Sequence, residues 1–408
     1  MLNAKGTITG SGFSLDNLST TVWFAADSSR IQHLNLTSLT CTLRGEPNRI
    51  EANIRAQNSD MTAEILAQGD FRDTTAPRYS ATVNLASFDL ASILNDEKFS
   101  SDLTFQGSFS GSGRHIDDLN AESNLTFLPS MFQGHAVSAQ DIHLTLDQRQ
   151  EHHKHLSLQS GIADIDLRGE FDLDHMTDAL IHQTNNLIEA IQRHASPTDS
   201  LTRESNEATL STNNRTIDQK KFNTSYTVNI KDLEPLAELF KSSPFDAKAQ
   251  LSGSITGTAD NLSLQCNGTF DECYFGTVKG GILLKSGTVD ASLDSLKDIR
   301  TLEDLTANAR FTATSGKLNT KTIDHLHASV SYKNLAGTIS LSGTVDSIYS
   351  LNVEGNTSVQ PHTYVFDFDT LNLAVGRYQW VNDQDVQCRW NYDGFRIMHG
   401  VMKRNDER

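Results

Sequence analysis

The residues best suited to chemistry are few and scattered. The run Glu151-His152-His153-Lys154-His155 puts three imidazoles and a carboxylate within five positions, a composition that suits a transition metal. Neighbours on an extended chain point to opposite faces, so His153 and His155 could share an ion and His152 could not. The run lies between two alternating segments, where a solvated hairpin tip is the expected setting. Cysteines stand at Cys41, Cys266, Cys273 and Cys388, with no Cys-x-x-Cys and no histidine pair at finger spacing, so structural zinc is not expected. Cys266 and Cys273 could meet across a turn, although two small strand residues is the simpler reading. The acidic pairs Asp117-Asp118 and Asp383 with Asp385 sit in turn-like settings that account for them. Gly10-Ser11-Gly12 and Gly111-Ser112-Gly113 lack the following helix that a phosphate loop needs, and read as hairpin turns. Nucleophile-elbow, P-loop and zincin motifs are absent. Sequons such as Asn35-Leu36-Thr37 arise by chance in a chain this rich in Asn, Ser and Thr. No catalytic residue, metal site or cofactor is expected.

The elements that carry these residues are mostly strands. Apolar and polar residues alternate at period two in 142–146, 156–158, 165–167, 339–341 and 351–353. Only 7 prolines occur in 408 residues, which suits long ladders because proline removes a donor. Each strand has one apolar face and one rich in hydroxyls and carboxylates. One stretch departs from this. Between His175 and His194, Met176, Leu180, Leu187, Ile188 and Ile191 recur mostly at three- and four-residue spacing, predicting an amphipathic helix of about five turns. Residues 196–221 are polar and read as a flexible loop.

Composition narrows the function classes. Lys and Arg number 34 against 51 Asp and Glu, a net charge of −17 that would repel nucleic acid. No window approaches the ~20 apolar residues of a membrane-spanning helix. The first residues lack the charged and apolar regions of a signal peptide.

Self-similarity organises the rest. Val83-Asn84-Leu85 leads through a Leu-rich stretch to Gly107-Ser108-Phe109-Ser110-Gly111. Val228-Asn229-Ile230 leads through Leu233-Glu234-Pro235-Leu236 to Gly253-Ser254-Ile255-Thr256-Gly257. Gly6-Thr7-Ile8-Thr9-Gly10 repeats the last part, and Gly69-Asp70-Phe71 matches Gly169-Glu170-Phe171. The reading is a partial β repeat at 1–82, a second at 83–227 with the helix (175–194) and loop (196–221) inserted, and a third at 228–408. The chain is expected to begin and end inside a larger repeating protein. The fold class expected is mostly β: an elongated, curled antiparallel sheet, a β-taco or groove, with one inserted helix.

These units of Gly-Ser/Thr-x-x-Gly, a Gly-acidic-Phe step and a Leu-rich helical turn resemble the TamB family (translocation and assembly module) of the AsmA-like superfamily. The helix after Phe171-Asp172-Leu173 and the Phe222-Asn223-Thr224-Ser225-Tyr226 strand are similar to its Bacteroidetes-type branch. The resemblance implies an internal fragment of a periplasmic, inner-membrane-anchored bridge that moves phospholipid and supports outer-membrane biogenesis or protein assembly. It also implies, as partners, phospholipid acyl chains and a BamA/TamA-like outer-membrane barrel engaged by a C-terminal part not contained in this sequence. The implied groove lining is Ile142, Leu144, Leu146, Leu156, Leu158, Ile165, Leu167, Ile339 and Leu341. The same residues would form the ordinary core of a closed sandwich if the chain were instead an extracellular adhesin or structural stalk. A polysaccharide-acting enzyme would need clustered acids and exposed aromatics, and the chain has only three tryptophans.

Overall fold

A computed structural model describes the chain from Asn3 to Asn405, except residues 13, 32–33, 95, 116–117, 151–152, 196–220, 234–244, 259–260, 278–279, 298–302, 304, 361–362 and 392–393. Among the described residues it is mostly strand, with 26 strands, two α-helices and one 3-10 turn. The fold class read from alternation is the one observed: antiparallel sheet, left unclosed, with a single long helix. The loop expected over 196–221 and most of the helical turn expected near Leu233 lie outside the described residues. Contact density divides the chain into two units, 1–168 with 231–242, and 169–230 with 243–408.

The first unit is a next-neighbour meander from Ala4–Ser11 through Ser19–Ile31, Leu34–Glu46, Arg49–Gln57, Thr62–Asp70, Arg78–Phe88, Ser101–Ser112 and Asn120–Phe127 to Gln140–Gln150 and His153–Gln159. Its registers align like with like across the strands. Cys41, Ile54, Ile65, Val83, Gly107, Leu125 and Ile142 stand side by side in one row. The adjacent residues, offset by one, form a row of the opposite character on the other face, as a period of two requires. Thr42, Asn53, Leu66, Thr82, Ser108, Asn124 and His143 make up one such row. A one-residue slip in any strand would turn its apolar set to water, so the alternation itself fixes the register. Asp89 caps the break after Arg78–Phe88. Its carboxylate accepts from the amides of Ala91 and Ser101 and from the Ser92 hydroxyl, joining a short helix, Leu90–Leu94, to the next strand.

The second unit repeats the plan over longer strands. Val228, Leu251, Gly268, Val289, Phe311, Ala328, Leu341, Val353 and Leu371 form one apolar row across nine strands. Asn229, Gln250, Thr269, Thr288, Thr312, His327, Ser342, Asn352 and Asn372 form its polar neighbour. A β-bulge in the strand Lys321–Lys333 holds His325 at φ 53°, and bulges bend the strand that carries them. The tight connection at Asn334-Leu335, with φ 51° and 63°, has the two left-handed residues of a type I′ hairpin.

The helix spans Leu173–Ala195. Asp172 starts it as an N-cap, its backbone oxygen accepting from the Met176 amide and its carboxylate meeting His175 Nδ1 at 3.1 Å. The helix packs against the strands Thr363–Val375 and Val386–Asn391 of its own unit. Its buried face is Met176, Ala179, Gln183 and Ala190. The sequence placed Ile188 on the apolar stripe, but it is 47% exposed, as Ile181 is at 56%. Small alanines let the helix approach the sheet closely, and that contact rotates Ile188 outward.

Candidate functional site

All nine residues expected to line a groove stand on apolar faces. In the first unit Leu144 lies directly opposite Leu158, Leu146 opposite Leu156, and Ile142 opposite Leu125. Ile165 and Leu167 flank Asp166, whose carboxylate meets His155 Nε2 at 2.6 Å on the polar face. Alternation therefore sends Ile165 and Leu167 to the apolar side. Of these seven only Leu146, at 6% exposure, is buried; the others are half-buried. No second layer of described residues covers this face. In the second unit Ile339 and Leu341 lie in adjacent apolar rows and are also half-buried.

Burial in the second unit is uneven across its apolar face. At one margin Phe270, Leu284, Ala313 and Ile323 form a buried cluster with Phe311, whose ring stacks on Phe270 at 5.1 Å. Gly287 makes the stack possible, since a Cβ there would sit 2.1 Å from the Phe270 ring and 2.0 Å from the Thr312 carbonyl. Side chains on one face of neighbouring strands bury one another this far only where the sheet curves toward that face. At the other margin Phe222, Thr224, Ile255, Leu262 and Cys388 are buried, in the rows that lead to the helix-covered strands. Between the margins runs the half-buried row of Val289, Phe311 and Leu341. Its surroundings are weakly polar, and burial pushes the Tyr332 hydroxyl up to about 12 and raises Tyr226 as well.

The polar face of the first unit holds a feature the sequence did not suggest. A cavity of about 900 Å³ lies between two polar rows, Arg49-Asp70-Arg78-Ser112-Asn120-Asp147-His155 and Glu51-Gln68-Ser80-Ser110-Glu122-Thr145. Phe71 packs against the far side of Gly69 and Phe109 against that of Gly111, and neither ring lines the cavity, so it opens on the polar side. At one end the Arg72 guanidinium holds the Asp70 carboxyl well below the usual carboxylate range, and Arg49 Nε stands 3.6 Å from the same group. At the other end burial pushes Asp166 up, but hydrogen bonds from Arg168 and His155 outweigh it and hold the group low. Only pairing across strands assembles this cavity, and its residues have no signature along the chain.

The remaining candidates resolve simply. Among the described residues no three His, Cys, Asp or Glu side chains converge as a metal site. His155 is engaged by Asp166, while Glu151 and His152 lie outside the described residues. Cys266 and Cys273 share one strand, Asn261–Thr277, and seven residues at ~3.3 Å put them ~23 Å apart. The turn that would have joined them does not exist, so they are strand residues. Asp383 pairs with Lys403 at 2.6 Å. Gly10-Ser11-Gly12 and Gly111-Ser112-Gly113 end strands and open no helix.

No protein-family model matches the chain, and neither does any curated protein or solved structure.

Proposed function

We propose that this chain is a non-enzymatic, lipid-handling segment, part of a periplasmic bridge that carries phospholipid in support of outer-membrane biogenesis or protein assembly. One observation carries the reading: each unit has a continuous apolar face, aligned row by row, that the described residues leave half-exposed. A soluble sheet must cover such a face with protein or with another apolar phase. Acyl chains fit, because they need no specific partner, and a row of Leu, Ile, Val and Phe offers none. Each buried methylene contributes roughly 0.8 kcal/mol, so a dozen give about 10 kcal/mol before ordering costs. The periplasmic setting, an inner-membrane anchor and an outer-membrane barrel partner rest on the TamB-like motifs alone.

The test is native mass spectrometry with lipid extraction on the purified chain and on Leu144→Asp and Leu158→Asp. Several phospholipids per chain, reduced in both variants, are the expected result. A lipid-free wild-type chain with a cooperative, compact transition would instead mean that protein covers the face, and the closed structural stalk would replace the conduit.

A further inference from the structure

The last strands of the chain differ in character from everything before them. Within residues 377–405 stand five Lys or Arg against three Asp, in a chain whose net charge is −17. Two of the three tryptophans, Trp380 and Trp390, fall in the same stretch. Large apolar side chains are unusually open here: Phe395 is 59% exposed, Ile397 68%, Val401 51% and Trp390 42%. The strands Val386–Asn391 and Gly394–His399 sort these groups by face. Trp390 pairs with Phe395 on one side, and Arg389 stands directly opposite Arg396 on the other. Like charges facing each other across strands destabilise a sheet unless an anion shares them. Nearby, the Arg377 and Arg404 guanidinium groups lie over the Tyr378 ring at 5.1 and 5.4 Å.

Exposed aromatics that mix with basic groups are what a bilayer interface selects. Trp and Tyr rings settle at headgroup level, apolar side chains enter the acyl boundary, and Lys and Arg meet anionic headgroups. A second copy of the chain fits less well, because the first strand, Ala4–Ser11, offers Lys5 and no acid to these arginines. We infer that the strands 378–405 form a docking surface for an anionic phospholipid bilayer. Neither signal is strong alone; an apolar insertion and a basic patch act together. This inference does not depend on acyl chains occupying the apolar faces elsewhere.

The experiment is flotation of the full chain with phosphatidylcholine vesicles, with and without phosphatidylglycerol, while tryptophan emission is followed. Binding and a blue shift are expected only with phosphatidylglycerol, and high salt should reverse both. Replacing Arg389, Arg396 and Lys403 together by Gln should weaken binding on the order of a hundredfold, at about tenfold or slightly less per charge. Phe395→Ser with Ile397→Ser should abolish insertion while circular dichroism stays unchanged. These side chains are exposed, so both variants should fold. Equal binding to the two vesicle types, or no effect of the Gln variant, would overturn the inference. So would self-association that the Ser variant abolishes, since a second copy would then cover the edge. Loss of co-purified lipid leaves this result untouched, so the two proposals fail separately.

Discussion

Leu158→Asp and Leu284→Asp introduce the same chemistry on the same kind of face under different cover. Leu158 is half-buried opposite Leu144, in a row that no described layer covers. Leu284 is 6% exposed and packs in the cluster of Phe270, Ala313 and Ile323, leaning on Gly316 so closely that a Cβ there would come within 2.9 Å of it. At Leu158 the substitution loses part of a leucine's burial, about 1 kcal/mol, and up to about 1 kcal/mol of strand preference, because the carboxylate still reaches water. At Leu284 the lost side chain alone is worth about 2–5 kcal/mol, and the carboxyl must be desolvated without a partner for a further 1–3 kcal/mol. Delipidated protein should therefore lose about 1–2 kcal/mol at Leu158 and at least about 4 kcal/mol at Leu284. Urea unfolding followed by circular dichroism and by hydrogen exchange reads both, the second method because long sheets need not unfold in one step. Equal large losses at the two sites would refute the claim that the first unit's apolar face is open.

Other residues give sharper local tests. Asp89→Ala removes three hydrogen bonds at the strand-to-helix break and should cost about 1–2 kcal/mol, with amide exchange rising first at Ser101. Gly287→Ala drives a methyl into the Thr312 carbonyl and the Phe270 ring, so the variant should be destabilised, and Phe270→Leu should restore only part because the carbonyl contact remains. Asp166 is held below its ordinary pKa when folded. Its contribution is thus complete above about pH 4 and lost as pH falls further. Thermal melts from neutral to acid pH should accordingly fall more steeply in the wild type than in Asp166→Asn. Mild oxidation should leave Cys266 and Cys273 unlinked within one chain, which peptide mapping would show.

Strands were legible because Thr, Ser and Asn occupy nearly every alternate position, leaving the period of two undisturbed. Ile142, Leu144, Leu156 and Leu158 could be placed on one face for that reason. Which of them had cover could not be read, because cover depends on what crosses the face from far along the chain. The helix shows the limit well. Its spacing predicted its existence and nearly its ends, but the close fit of Ala179 and Ala190 chose the buried side and turned Ile188 outward. The cavity on the polar face escaped for a related reason. Arg49, Arg78, Glu122 and His155 become neighbours only through successive strand pairings, and sequence distance hides that.

The helix also measures what covering the face achieves. Where it packs, Val386 and Cys388 fall to 4% and 3% exposure, while Leu341, in a central row, stays half-buried. The difference between those states is the apolar area still open to an occupant. Each strand added to such a sheet lengthens every row by one residue, so the open area grows with strand number and never saturates. A globular core behaves differently, because added residues complete it and close it. A row that lengthens without closing suits a ligand that is itself long, apolar and indifferent to register. The polar rows on the other face keep such an open sheet soluble, and Thr, Ser and Asn fill them through both units.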